Sequence, residues 1–205
     1  MDTITRVDSL RIDIAVFDGM DELDAIGPLE VLRSAADRGA PFDVQLVTLE
    51  PQSPVRCAHG LAMIPDGVCR PDAGMLIFPG GGWISRSEAG VRAEVDSGRW
   101  ASRIDEAVAQ GSILASVCTG AMILASAGAL TNRRATTHHG AWRDLEAAGA
   151  TLVHERVVDD GDRITAGGVT SGIDLGLWLI ERFAGREMAA QIAENLEYRA
   201  APHAC

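Results

Sequence analysis

A cysteine between a predicted strand and a predicted helix is the first candidate for chemistry in this sequence. Residues 113–117 are apolar and strand-like, Cys118 follows them, and Gly120 and Ala121 lead into a helical run over residues 122–127. The reactive crevice of an open α/β sheet lies at the carboxyl ends of its strands, and a helix amino end favours negative charge. We therefore expect Cys118 to form a thiolate more easily than free cysteine does. The alternative is an inert core cysteine.

Three glycines after a second apolar segment form the next candidate. Residues 75–78 predict a parallel strand buried on both faces, and Pro79 is followed by Gly80, Gly81 and Gly82. The backbone N–H groups of such a turn can bind a phosphate or an oxyanion. The P-loop and dinucleotide-binding patterns are both absent, which favours oxyanion binding. A plain loop is the alternative.

The cysteines indicate reduced thiols and no metal site. Four cysteines are few for this length and none has CxxC spacing: Cys57, Cys69, Cys118 and Cys205. Cys57 and Cys69 together with His59 match no zinc-ligand pattern. We therefore predict neither a disulfide framework nor a bound metal.

Composition limits the class of protein. A chain of 205 residues that is 47% apolar predicts one α/β domain over residues 1–205, with a substantial core. The formal net charge of -11 argues against a nucleic-acid-binding surface, which needs a basic stripe. No apolar run approaches the length of a membrane span, and residues 1–6 do not begin a secretory signal. Cytoplasmic localisation is the resulting expectation.

Strand-like and helix-like segments alternate along most of the chain, which predicts a mostly parallel sheet with helices on both faces. The predicted strands are residues 12–17, 43–49, 75–78, 113–117, 151–153, 156–158 and 163–166. The first predicted helix begins at Pro28, after a loop or short helical turn over residues 21–27, and ends at Arg38. The other predicted helices cover residues 91–110, 122–127, 141–148, 173–183 and 186–198. Residues 55–57 and 61–64 predict a small β-hairpin.

Seven segments, in the same order along the chain, resemble the ThiJ/PfpI superfamily, which shares its fold with class I glutamine amidotransferase domains. They are residues 23–32, 78–81, 116–121, 134–138, 154–158, 165–174 and 196–198. Thr119 directly after the cysteine is similar to the isonitrile hydratase branch, whereas protease-like and amidase-like branches usually have histidine there. The resemblance implies a three-layer, flavodoxin-like α/β fold.

That resemblance also implies a reaction: the cofactor-free, cysteine-dependent hydration of an isonitrile to an N-substituted formamide. Cys118 would attack the isonitrile carbon and form a covalent thioimidate. Asp24 would donate a proton to the substrate and then activate the attacking water, a double use that requires a raised pKa. From the sequence alone, Asp24 fits a helix N-terminal cap equally well.

Thr119 and the glycines complete the implied site. The Thr119 side chain would hydrogen-bond substrate, water or Asp24, and its backbone N–H would form an anion site with Gly80 and Gly81. The alternative for Thr119 is a first-turn helix residue without a chemical role. His138 and His139 invite a Cys–His assignment, because histidine is the usual partner base. The resemblance disfavours it, since the family's matching histidine lies outside its usual catalytic set.

The resemblance further implies a small-molecule substrate and a homodimer, with no nucleic-acid or membrane partner. Two other functions stay open. One is a glyoxalase-, deglycase- or amidase-like enzyme that acts on another small electrophile. The other is a non-enzymatic small-molecule or redox sensor, which would also use an accessible cysteine of low pKa.

Overall fold

Within residues 9–199, the part of the chain that this computed structural model describes, the central element is a seven-stranded sheet. Cys205 and residues 1–6, where no secretory signal is predicted, lie outside the described residues. The strands of this sheet are β1 (Leu10–Ala15), β2 (Phe42–Thr48), β5 (Gly67–Val68), β6 (Met75–Phe78), β7 (Ile113–Val117), β10 (Val157–Asp159) and β11 (Arg163–Ala166). Their spatial order is β10-β11-β7-β6-β1-β2-β5, and only β10 runs antiparallel to its neighbour. The predicted mostly parallel sheet is confirmed.

Two short strand pairs lie outside this sheet. β3 (Val55–Arg56) and β4 (Ala62–Met63) pair antiparallel and form the predicted hairpin. β8 (Arg134–Ala135) and β9 (Thr151–Leu152) pair in parallel.

Helices cover both faces of the sheet. The four residues of β6 are all buried, and because neighbouring side chains of a strand point to opposite faces, both faces must be covered. The helices are α1 (Glu22–Ala36), α2 (Val91–Ser97), α3 (Ala101–Ala109), α4 (Ala121–Ser126), α5 (Trp142–Ala147), α6 (Ser171–Ala184) and α7 (Arg186–Asn195). α1, α6 and α7 contact one another, whereas α4 contacts α2 and α5. This arrangement confirms the predicted three-layer architecture.

Helix α1 begins at Glu22, so the predicted start at Pro28 is wrong. Asp21 caps the helix, and its Oδ1 accepts a hydrogen bond from the Leu23 N–H at 3.1 Å. Pro28 lies inside the helix, where it removes one backbone donor. The proline is tolerated because its ring packs against α6: a Cβ built on Gly172 would lie 2.9 Å from Pro28 Cδ. Tertiary packing overrides the local signal here.

The predicted helix over residues 91–110 is two helices. α2 ends at Gly98, whose φ of 62° is left-handed and readily adopted by glycine, and α3 begins at Ala101. Periodicity alone did not reveal the break, because both helices present apolar residues to the same core.

The crossing of α1 and α6 depends on glycine. A Cβ built on Gly176 would lie 2.7 Å from Val31 Cβ, a distance that real Cβ atoms do not reach. Val31 is β-branched and stiff, so it cannot move aside easily. The close approach of the two helices matters because α1 carries Asp24 and α6 follows the loop beside Cys118.

We expect Gly176→Ala to lower the free energy of unfolding by about 1–3 kcal/mol, measured by urea denaturation. Helix propensity alone would favour alanine by about 1 kcal/mol, so a loss of stability isolates the steric effect. Gly67→Ala is the matched control, because a Cβ there meets nothing within 4 Å. Its stability should stay within about 0.5 kcal/mol of the parent protein. A Gly176→Ala protein as stable as the parent would refute the tight crossing.

Candidate active site

Cys118 lies on a sharp turn between β7 and α4. Its φ is 56°, an uncommon value for a residue that is not glycine, and a short 3-10 turn spans Cys118–Gly120. The Cys118 N–H donates to the Gly167 carbonyl at 2.7 Å. Gly120 must lack a side chain, because a Cβ there would lie 2.0 Å from the Phe78 carbonyl oxygen. The backbone therefore has the strand–turn–helix geometry of a nucleophile elbow.

Cys118 is only 6% exposed, and its surroundings oppose ionisation of the thiol. Burial, followed by the Asp24 carboxylate, raises the pKa of Cys118 to about 12. The N–H groups of Val169 and Thr119 act in the opposite direction, because they hydrogen-bond the sulfur. The expectation of an easily formed thiolate is therefore wrong. The amino end of a six-residue helix does not compensate for burial beside a carboxylate.

Asp24 is the acidic partner of this thiol. It is 0% exposed in the first turn of α1, and its Oδ2 accepts a hydrogen bond from the Gly80 N–H at 2.8 Å. Burial, together with the nearby Asp21 charge, raises the pKa of Asp24 to about 7, against the opposing effects of Gly80 and Cys118. Among the described residues, Asp24 Oδ1 has no hydrogen-bond partner. Since Asp21 is the helix cap, the capping alternative for Asp24 is wrong.

Asp24 and Cys118 form one titrating pair. Each side chain shifts the pKa of the other, through the charge of the carboxylate and through hydrogen bonding to the thiol. At neutral pH the thiol keeps its proton, and the carboxyl is close to its midpoint. Such a pair can accept a proton from one reactant atom and deliver it to another.

The N–H groups of Gly80 and Gly81 do not form the predicted oxyanion site in this structure. The Gly80 N–H holds Asp24, and the Gly81 N–H donates to Thr119 Oγ1 at 3.0 Å. A Cβ on Gly80 would lie 2.5 Å from the Thr119 nitrogen and 2.8 Å from Asp24 Oδ2. The glycine turn therefore positions Asp24 and Thr119. The backbone N–H groups that face the sulfur belong to Thr119 and Val169.

Val169 and Thr137 are site residues that sequence reasoning missed. Val169 has a φ of 35°, and the Thr137 hydroxyl donates to the Cys118 carbonyl at 2.8 Å. No property of a valine in a sequence predicts a backbone N–H aimed at a sulfur. The available signals were the preceding pair, Gly167 and Gly168, which marks a turn, and the two segments over residues 134–138 and 165–174 that resemble the ThiJ/PfpI superfamily.

His138 is engaged in its own turn. Its Nδ1 accepts a hydrogen bond from the Gly140 N–H at 3.1 Å, and burial followed by the neighbouring His139 lowers its pKa. Glu30, on α1, is exposed to solvent. The indole N–H of Trp83 donates to Asp144 Oδ2 at 2.7 Å, which joins the glycine turn to α5.

The cysteines predicted not to bind metal lie in separate places. Cys57 lines an open cavity of about 660 Å³ together with His59, whereas Cys69 Sγ accepts a hydrogen bond from Arg103 Nε at 3.3 Å. Asp21, Glu22 and His59 bring ligand-type atoms within 4.8 Å of one another at the surface. Tertiary packing of the hairpin against α1 creates this grouping, so sequence spacing could not reveal it.

The fold and the elbow define a class of α/β protein that presents a cysteine at the carboxyl edge of a parallel sheet. The DJ-1/PfpI family model matches residues 10–182 of the chain. The chain therefore belongs to the DJ-1/PfpI family. Among residues 9–199, no helix combines the length and the apolar character needed to cross a membrane.

Individual relatives agree with this assignment. An isonitrile hydratase from Pseudomonas putida is 35% identical over 196 residues, which cover 95% of this chain and 81% of that protein. The Parkinson disease protein 7 homolog of Danio rerio is 27% identical and covers 87% of this chain and 92% of its own length. The crystal structure of a ThiJ/PfpI family protein from Pseudomonas syringae superposes with a TM-score of 0.80 at 28% identity, covering 95% of this chain and 77% of that one.

The raised pKa of Asp24 predicts an unusual dependence of stability on pH. The folded protein keeps a proton on Asp24 up to about pH 7, whereas the unfolded chain loses it near 3.8, so ionisation of Asp24 destabilises the fold. Between these pH values the parent protein should lose about 4 kcal/mol relative to Asp24→Asn, which stays neutral and still accepts from Gly80. Urea denaturation of both proteins at pH 4 and pH 8 measures the difference. If the difference in free energy of unfolding between the two proteins does not change from pH 4 to pH 8, the raised pKa of Asp24 is refuted.

Proposed function

We propose that this protein hydrates an isonitrile to an N-substituted formamide, with Cys118 as nucleophile and Asp24 as proton carrier. The reaction is redox-neutral and needs only water as a second reactant. The proposal is supported by the similarity to an isonitrile hydratase and by the contact between a thiol and a buried carboxyl. The observation that carries it is the complete burial of Asp24, with Oδ2 held by the Gly80 N–H at 2.8 Å and Oδ1 left without a hydrogen-bond partner among the described residues. This burial raises the pKa of Asp24 to about 7.

The first step inserts the isonitrile carbon into the S–H bond. The Asp24 carboxylate accepts the thiol proton as the sulfur attacks the terminal carbon, and then delivers that proton to the same carbon. The product is the thioimidate R–N=CH–S–Cys118, and no proton is gained or lost overall. The Val169 and Thr119 N–H groups stabilise the negative charge that develops on sulfur. A thiol of high pKa is compatible with this step, because a base stands beside it.

The second step hydrolyses the thioimidate. Asp24, again a carboxylate, accepts a proton from water as the oxygen attacks the carbon, and returns a proton to the substrate nitrogen. The tetrahedral R–NH–CH(OH)–S–Cys118 then breaks its C–S bond. The hydroxyl proton returns to sulfur, which releases R–NH–CHO and restores the thiol.

Replacement of Cys118 with alanine should abolish formamide production from cyclohexyl isocyanide, because the covalent intermediate cannot form. Formamide is measured by chromatography, and the fold is checked by circular dichroism. Cys57→Ala is the matched control, because Cys57 is also 6% exposed and lies outside the pair; it should retain activity. Methylglyoxal, assayed in parallel, separates the hydratase from a glyoxalase-like enzyme. Turnover of the isocyanide by Cys118→Ala would exclude the nucleophile assignment.

The rate should rise with pH through about 7, because protonated Asp24 cannot accept the thiol proton. Asp24→Asn should lower kcat by roughly 100- to 10,000-fold, the usual contribution of general acid–base catalysis, and should remove this pH dependence. Steady-state kinetics from pH 5 to 9 test both effects. A parent protein whose rate is flat across pH 7 would contradict the role of Asp24.

A further inference from the structure

An Arg–Asp–Tyr network lies behind the turn that faces Cys118. Arg156 donates to Asp174 Oδ2 through Nε at 2.8 Å and through Nη2 at 2.6 Å, and the Tyr198 hydroxyl donates to the same oxygen at 2.8 Å. Asp174 is in the first turn of α6 and only 2% exposed. A buried carboxylate held by a guanidinium fixes the direction of that guanidinium, since breaking the pair would leave a charge without compensation.

The same arginine holds both ends of the turn over residues 167–170. Its Nη2 donates to Thr170 Oγ1 at 3.0 Å, and its backbone carbonyl accepts from the Gly167 N–H at 2.9 Å. Gly167 in turn accepts from the Cys118 N–H at 2.7 Å. Main-chain hydrogen bonds thus connect Arg156 to Cys118 through Gly167.

Between these two anchors lies Val169, whose backbone is strained. A φ of 35° is unfavourable for a β-branched residue, and such a conformation persists only where surrounding contacts enforce it. In this conformation the Val169 N–H faces the Cys118 sulfur. Arg156 makes hydrogen bonds on either side of Val169, and the Val169 carbonyl itself accepts from the Gly172 N–H at 3.2 Å.

We propose that Arg156 is a positioning residue for the reactive thiol: it holds the 167–170 turn so that the Val169 N–H points at Cys118. Asp174 and Tyr198 serve this role by orienting the guanidinium. The proposal concerns the reactivity of the thiol towards any electrophile, so it goes beyond isonitrile hydration and does not need that activity to be present.

The test is the alkylation of Cys118 by iodoacetamide, followed from pH 6 to 9 by mass spectrometry of the peptide that contains it. Arg156→Lys keeps the charge but cannot bond Thr170 and Asp174 at once. Losing a hydrogen bond to a charged group lowers the thiolate population roughly tenfold. The more basic thiolate that remains is more nucleophilic, so the net rate should fall roughly three- to fourfold.

Thr170→Val is the second variant, because it removes the Thr170 hydroxyl and leaves the Arg156–Asp174 pair intact. Thr170 makes no side-chain cap hydrogen bond to α6, so its loss does not unfold the helix start. We expect slower alkylation here also. In the double variant the two effects should not add, since both break the same contact.

Asp159→Asn is the matched control. Asp159 Oδ2 accepts from Arg182 and Trp178, each at 2.7 Å, and so anchors the other half of the same helix. This variant should lose stability in urea but alkylate Cys118 at the parental rate. A purely structural role of Arg156 would loosen the site and speed alkylation, the opposite of our expectation.

The proposal is overturned if Thr170→Val alkylates as fast as the parent protein, or if Asp159→Asn slows alkylation as much. If Arg156→Lys does not fold, Thr170→Val decides alone. Slower alkylation together with absent isonitrile turnover in the parent protein would uphold the positioning role and reject the proposed function.

Discussion

The structure depends on the confinement of two acids, the Cys118 thiol and the Asp24 carboxyl, in one buried place. Burial raises the pKa of both groups, and the Asp24 carboxylate raises the pKa of Cys118 further, so at neutral pH the thiol keeps its proton and Asp24 is close to its midpoint. The surrounding elements hold this pair together. β7 delivers the sulfur, α1 delivers the carboxyl, and the glycine turn after β6 fixes the carboxyl through the Gly80 N–H.

Much of this arrangement could be predicted from the sequence, because several signals are local. The apolar run of β6 appears at its observed bounds, and the cysteine lies at the strand end where alternation of strands and helices places it. Asp24 became a site residue only through the resemblance to the ThiJ/PfpI superfamily. The start of α1 was missed, because the cost of Pro28 is offset by packing against Gly172, which is distant in sequence.

The direction of the Cys118 pKa could not be predicted, because burial and neighbours are tertiary quantities. The position at a helix amino end predicted a lowered pKa for Cys118. Burial and the Asp24 charge raise that pKa by more than the amino end of a six-residue helix lowers it. The hydrogen-bond acceptors of the Gly80 and Gly81 N–H groups were equally unpredictable, since a sequence does not reveal which acceptors lie nearby. The single domain over residues 1–205, the homodimer and the cytoplasmic localisation stay predictions.

Asp24 Oδ1, an acceptor without a donor among the described residues, has a consequence for what the site retains. In a buried site, such an atom favours any molecule that carries an N–H group. An isonitrile has no N–H, whereas a formamide has one. If the proposed reaction holds, the product is therefore bound more tightly than the substrate, and the enzyme slows as formamide accumulates.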